Sequence, residues 1–383
     1  MQKSNDCICM IEMADNSPVN TYLRYSIPLA ISLYENKTRE WLQSSLIQLK
    51  CKQDHSQILI LLNRIPNLKI KMSLINKRKK NQAKNLIGNI TCKISNGYCV
   101  STLLDQFYIP KTPNFNQNHR IHREFIVGYD IEEEKFFLKI YGNEGHIVNS
   151  EMSFSDFISA YCWTERVPGK KAWVASVYSY KRKEKIKPKF SYRCFYHSIN
   201  SYAESKMSLL CKLYTQGLMI IDRENTYKCI YGMKVHEHLA DLIYSSYINE
   251  NLNHIPLIKL DMIYAHKQCM VNRLVFLRDE YIDIVVDKNE FSVVQTSLNK
   301  AIIDYKTIEK NYLIYKRLYM KVQQSGNKEE LLKIVEGIKN MMVLEKDTLE
   351  KLLPYLAILL NRKKCYKLKK YIQNNIDNYV FAI

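Results

Sequence analysis

Long apolar runs are missing from this chain. No uninterrupted apolar segment approaches the ~20 residues needed to cross a bilayer, and no N-terminal stretch joins a basic start to a long apolar run. The expectation is a cytoplasmic protein with no membrane partner. Glycine is scarce, at 10 residues in 383. Neither a Walker loop nor a dinucleotide-binding glycine pattern occurs, so ATP or NAD dependence has no sequence signal and no cofactor is expected. A disulfide framework is lacking too: the 11 Cys are scattered and odd in number, and read as reduced thiols packed as small hydrophobes. Metal-ligand clusters are also missing. His119 and His122 form an H-x-x-H spacing without supporting ligands, and the C-x-C of Cys7 and Cys9 stands alone, so no metal is expected.

Acidic residues are outnumbered, 38 against 57 Lys and Arg, for a formal net charge of +19. That excess favours an anionic partner. Lys, Asn, Ile and Tyr are all abundant, however, a bias that an AT-rich genome produces by itself, so nucleic acid is not expected. An acidic carrier protein fits the charge as well.

What is present is globular material. With 46% hydrophobic residues, 28 Tyr and 12 Phe, the chain can bury enough apolar surface to offset ordering entropy. Its length suggests two domains. Pro18 to Leu49 has apolar residues at helical spacing and predicts one or two helices, with a break or kink at Pro28 and a second helix over Trp41 to Leu49. From Ile58 short apolar runs take over, among them Leu68 to Met72 and Tyr98 to Leu104, with the basic run Lys77 to Lys80 read as a solvated face. Phe125 to Tyr129 and Lys135 to Tyr141 predict a hairpin with an acidic turn. Ser153 to Tyr161 opens with a capping pattern and predicts a helix, and Ala172 to Tyr180 predicts a strand.

The basic connector Lys181 to Lys189 marks the boundary, giving domains 1–185 and 186–383. Beyond it the pattern is helical over Cys194 to Leu213, Val235 to Tyr247, Leu257 to Leu277, Val294 to Val322 and Leu331 to Leu360. Ser325-Gly-Asn327 suits a hairpin between the last two. Leu298, Tyr305, Tyr312, Tyr315 and Tyr319 are read as facing Leu331, Ile334, Ile338, Met341 and Leu352 within one chain. A homo-oligomer stays open. His236 and His238, two apart on a helix, are read as surface or cap residues, and His266 as a buried, satisfied histidine.

The segment Gly97-Tyr-Cys-Val-Ser-Thr-Leu-Leu-Asp105-Gln-Phe-Tyr-Ile-Pro110, followed by His119-Arg-Ile-His122 and Phe125-Ile-Val-Gly-Tyr-Asp130, resembles the butirosin biosynthesis protein H family. Weaker matches at Trp41 to Gln48, Phe154 to Tyr161, Ile255 to Lys259 and Ala265 to Lys267 extend the likeness over nearly the whole chain. The resemblance implies an α+β protein, with a papain-like cysteine-enzyme fold in the N-terminal half and a mainly α-helical C-terminal half. It also implies a role in secondary-metabolite pathways of the nonribosomal peptide type.

In a papain-like site a cysteine at a helix N-terminus is activated by the helix dipole and a histidine, while a third group holds the imidazole in its working tautomer. The resemblance puts the triad histidine at His122, the family's cysteine at Thr21 and its aspartate at Ile140. Threonine is far harder to ionise than a thiol, and isoleucine cannot orient an imidazole. Cys9 is the alternative nucleophile, with Cys7 beside it, and Asp130 an alternative carboxylate at the hairpin turn.

Relatives of this kind are implicated in moving an acyl or aminoacyl group from a carrier-protein thioester to an amine. Three readings stay open. The first is a transferase for which His122 acts as base on the amine and no covalent enzyme intermediate forms. The second is a catalytically inactive member that binds an acyl or peptidyl carrier protein or scaffolds a pathway enzyme. The third is a thiol enzyme using Cys9. The resemblance implies an acyl or peptidyl carrier protein bearing a phosphopantetheine thioester as partner, and the first reading adds a small amine acceptor.

Overall fold

A computed structural model of the chain describes residues 7–15, 17–20, 22–36, 38–52, 58–60, 65–74, 80–142, 146–166, 176–207, 229–249, 257–281 and 288–380. In chain order it runs β1 (Ile8–Met10), α1 (Leu23–Leu33), α2 (Arg39–Leu42), β2 (Leu49–Lys52), β3 (Ile58–Ile60), β4 (Leu68–Leu74), α3 (Lys80–Ser95), β5 (Cys99–Asp105), β6 (Ile121–Asp130), β7 (Lys135–Tyr141), β8 (Ile147–Ser153), α4 (Phe154–Trp163) and β9 (Ser176–Arg182). There follow α5 (Tyr192–Ala203), β10 (Cys229–Tyr231), α6 (Lys234–Ile248), α7 (Leu257–Phe276), α8 (Lys288–Ser325) and α9 (Glu329–Val380). The class is α+β, with an antiparallel sheet and a helical C-terminal half.

The chain divides into two compact units, 1–39 with 65–188 and 40–64 with 189–383. The break after Pro188 falls in the expected basic connector. Residues 40–64, expected in the first domain, belong instead to the second unit. The reason is a buried cation: Arg273 of α7 donates to the carbonyls of Gln43, Ser45 and Leu46, and His266 Nε2 donates to Ile47 O at 2.7 Å. These carbonyls lie just past α2, where a helix end leaves acceptors without an intrahelical partner.

The first unit is built on a seven-stranded antiparallel sheet in the order β4-β9-β5-β6-β7-β8, with β1 added to β6. Side chains alternate between its faces. Val100 and Leu104 of β5, Ile126 of β6, and Leu138 and Ile140 of β7 point to one face, where they pack with Ile90 of α3 and Phe157 and Tyr161 of α4. No α1 residue takes part in that core, yet α1 packs against β4, β6, β7 and β9, so it covers the other face. Pro28 does not break α1, whose residues 25–32 are all buried, and surrounding packing compensates for the hydrogen bond that proline removes.

The expected β6–β7 hairpin is present, with Asp130 Oδ1 accepting from the Glu132 and Glu133 amides, and Ser153 caps α4 by accepting from Asp156 N. β1 sits so close to β6 that a Cβ on Gly128 would lie 2.6 Å from Cys9 O. Gly128→Ala should therefore displace β1 at a cost of about 1–3 kcal/mol. Hydrogen exchange should show Ile8 to Ile11 losing protection while β5 keeps it; unchanged protection at Ile11 would refute the prediction.

In the second unit a three-stranded sheet, β10-β2-β3, accompanies α5 to α9. The helix expected over Trp41 to Leu49 ends at Leu42 instead. Leu46 adopts φ 56, a left-handed conformation that stops a helix, and Leu49 to Lys52 form β2. α8 and α9 pack as a hairpin turned at Gly326, whose φ of 71 suits glycine. Of the residues expected at its seam, Leu298, Tyr305, Tyr312, Tyr315, Tyr319, Leu331, Ile334, Ile338 and Leu352 are buried, whereas Met341 is only partly so.

Candidate functional site

Two histidines near the start of β6 are each held by a buried carboxylate. On β6, His122 and Glu124 are two residues apart and so share a face, the one covered by α3 and α4; His122 lies opposite Leu104 and Glu124 opposite Thr102. His122 Nδ1 is 2.8 Å from Glu124 Oε1, with the imidazole 36% exposed and the carboxylate fully buried. Gln106 Nε2 donates to the same Oε1 at 2.8 Å, and Asn114 Nδ2 donates to Gln106 Oε1 at 2.8 Å.

This chain of donors settles the imidazole's tautomer. A carboxylate oxygen only accepts, so His122 carries its proton on Nδ1 and leaves the Nε2 lone pair for chemistry. Charge-assisted bonds of this sort contribute about 1.5–3 kcal/mol each. Among the described residues, Glu124 Oε2 and Thr102 Oγ1 are buried without a hydrogen-bond partner.

The second pair comes from the loop between β5 and β6. Asp105 ends β5, and its Oδ1 accepts from the Phe107 and Arg120 amides while Oδ2 meets His119 Nδ1 at 2.5 Å. The His119 ring is stacked between Trp163, 4.1 Å away, and Phe107, 4.5 Å away. Thr112 Oγ1 closes the loop by donating to Gln106 O. The loop is thus tied to both carboxylates. A short strand end, a 3-10 turn over Gln106–Tyr108 and two buried acids hold both imidazoles without help from α1.

Of the expected partners of His122, those among the described residues are not assembled around it. Thr21 lies outside the described residues; its neighbour Asn20 accepts from the Tyr141 hydroxyl, and Tyr141 alternates with Ile140 and so belongs to the face away from His122. Cys9 pairs with Tyr129, and from position 122 to position 129 of β6 is roughly 23 Å at ~3.3 Å per residue. Its side chain packs on the α3–α4 core instead. Cys7 donates to Glu132 Oε1 at 2.7 Å, and that bond, with burial and the carboxylate's charge, pushes the thiol up and away from ionisation. Ile140 is fully buried in the core. Asp130 organises its own turn.

The orienting acid was instead two residues from the histidine. Glu124 has a signal in sequence, the H-x-E spacing on a strand, but its burial depends on β5 and Gln106. Among the described residues, no group of three or more His, Cys, Asp or Glu could hold a metal ion. The arrangement offers acid–base chemistry: a fixed imidazole with one free nitrogen at the surface. Neither protein-family models nor curated proteins give a match to this chain.

Proposed function

We propose that the protein is a carrier-dependent acyl or aminoacyl transferase of a secondary-metabolite pathway, in which His122 acts as general base and no covalent enzyme intermediate forms. The observation that carries this reading is the imidazole held through Nδ1 by buried Glu124, with Nε2 unpartnered among the described residues. The resemblance to the butirosin protein H family, with its papain-like fold and carrier thioester, supplies the substrate class.

The amine nitrogen attacks the thioester carbonyl while His122 Nε2 takes the amine proton. The C–S bond then breaks, and the departing thiolate recovers that proton from the imidazolium, so the products are an amide and a free thiol. Glu124 supports the step by stabilising the transient imidazolium. A Cys9 nucleophile is not part of this scheme, because its strand position is too far from His122.

The test is aminolysis of an acyl-N-acetylcysteamine thioester by a simple amine. His122→Ala should lower the enzyme-dependent rate at least about a hundredfold, and Glu124→Gln about tenfold or more, with native hydrogen-exchange protection retained. A His122→Ala rate equal to wild type would overturn the reading. It would favour the carrier-binding scaffold, the alternative supported by the resemblance, which sets the family's aspartate at Ile140, a buried residue that cannot orient an imidazole.

A further inference from the structure

β4 is an edge strand: among the described residues it pairs with β9 on one side and with no strand on the other. Lys69, Lys71, Met72 and Ser73 along it are exposed. Alternation puts Lys69 and Lys71 on one face of the sheet and Ile70 and Met72, the latter 43% exposed, on the other.

The lysine face is a cluster of one sign. Lys69 stands directly opposite Lys181 of β9, a like-charged pair that is unfavourable across a ladder. The ammonium groups of Lys71 and Lys181 lie 5.5 and 5.4 Å from the centroid of the Tyr98 ring. Lys93 of α3 joins them: burial and then the charge of Lys71 lower its ammonium below the usual range. At Tyr98, burial pushes the phenol up, but the charges and hydrogen bonds of Lys69 and Lys71 outweigh it and bring the hydroxyl down. Lys181 Nζ donates to a backbone carbonyl, that of Asn96. No carboxylate of the described residues pairs with any of the four.

We propose that β4 is the docking edge for an extended segment of a partner protein in which acidic and apolar residues alternate. The segment adds a strand to β4, with carboxylates over Lys69, Lys71 and Tyr98 and apolar side chains over Ile70 and Met72. Three features select that occupant. The open edge offers unpaired amides and carbonyls. The cluster demands negative charge on one face only. A second copy of this chain is disfavoured, since the registers that pair the two edges about Ile70 or Lys71 set lysine against lysine, which is how edge lysines discourage indiscriminate pairing. The inference goes beyond the chemistry at His122 and does not depend on it.

The experiment titrates the full chain with a fluorescent alternating Glu-Val peptide matched in length to β4, at low salt, beside a blocked peptide of the same composition and single-stranded DNA. Saturable binding of the alternating peptide is expected, tighter than the blocked one. Lys69→Glu with Lys71→Glu should weaken it at least about tenfold, while Lys306→Glu with Lys310→Glu, the same charge change on the exposed side of α8, should change it less than about twofold. Far-UV circular dichroism confirms that both variants fold. Failure to bind, equal losses in the two variants, or equal affinity for the blocked peptide would overturn the proposal. So would DNA binding that is tighter and equally sensitive to Lys69 and Lys71, which would make the edge a phosphate surface.

Discussion

Glu345→Ala should cost the second unit about 3–5 kcal/mol, because it strands a charge in the core. Lys267 of α7 and Glu345 of α9 are both buried, and the ammonium donates to Glu345 Oε1 and Oε2 at 2.7 and 2.6 Å. Its other two protons go to Tyr202 OH at 2.9 Å and His236 Nε2 at 3.1 Å. Since Nε2 accepts, His236 donates through Nδ1 to Tyr312 OH, 2.7 Å away, and Tyr202 in turn donates to Glu345. Every proton of the ammonium has an acceptor.

Burial lowers Lys267 to about 8, against the pull of Glu345. Taking the carboxylate away leaves burial unopposed, and the substituted chain has to neutralise the lysine or unfold. A double replacement, Lys267→Met with Glu345→Leu, removes both charges and should recover most of the loss, as buried pairs exchanged for packed hydrophobes commonly do. Chemical denaturation read through hydrogen exchange in α7 and α9 measures both. A loss under about 1 kcal/mol in the single variant would mean that water reaches the pair.

Acid should weaken the same unit by up to about 4 kcal/mol between pH 7 and pH 5. His236 and His266 are fully buried, and both are held well below the ordinary imidazole range: by desolvation first, then by the charge of Lys267. The unfolded chain binds their protons below about pH 6.5 while the folded chain does not, so stability is full above that pH and falls as acid is added. Each histidine contributes roughly 2 kcal/mol over that span. His266→Gln can still donate to Ile47 O and should remove about half of the pH dependence. Urea midpoints at pH 7 and 5 decide it, and an unchanged slope in the variant would count against the assignment.

Structure follows directly from the amino-acid sequence where a local signal is sufficient. Ser153 caps α4 by a bond within its own first turn, and Gly326 turns the α8–α9 hairpin because it tolerates positive φ. The tyrosines of α8 repeat at helical spacing and are buried as that spacing demands. Local signals mislead where the decisive partner is far along the chain. His236 looked like a surface residue, two positions from His238, yet it is buried because Tyr202, Lys267 and Tyr312 converge on it. Trp41 to Leu49 carry helix-like spacing, and only Arg273, more than two hundred positions away, shows why they join the second unit.

The candidate site divides in the same way. The place of Ile140 in the core follows from its residue type within the predicted strand Lys135 to Tyr141, a property of neighbours along the backbone, whereas the strand that holds His122 begins ahead of the predicted Phe125 to Tyr129. Which face each strand turns to α1, which acid reaches the imidazole, and how far Cys9 lies from it depend on sheet order and register. Those come from pairings between segments distant in sequence, whose stability rests on packing and buried hydrogen bonds that no single segment contains.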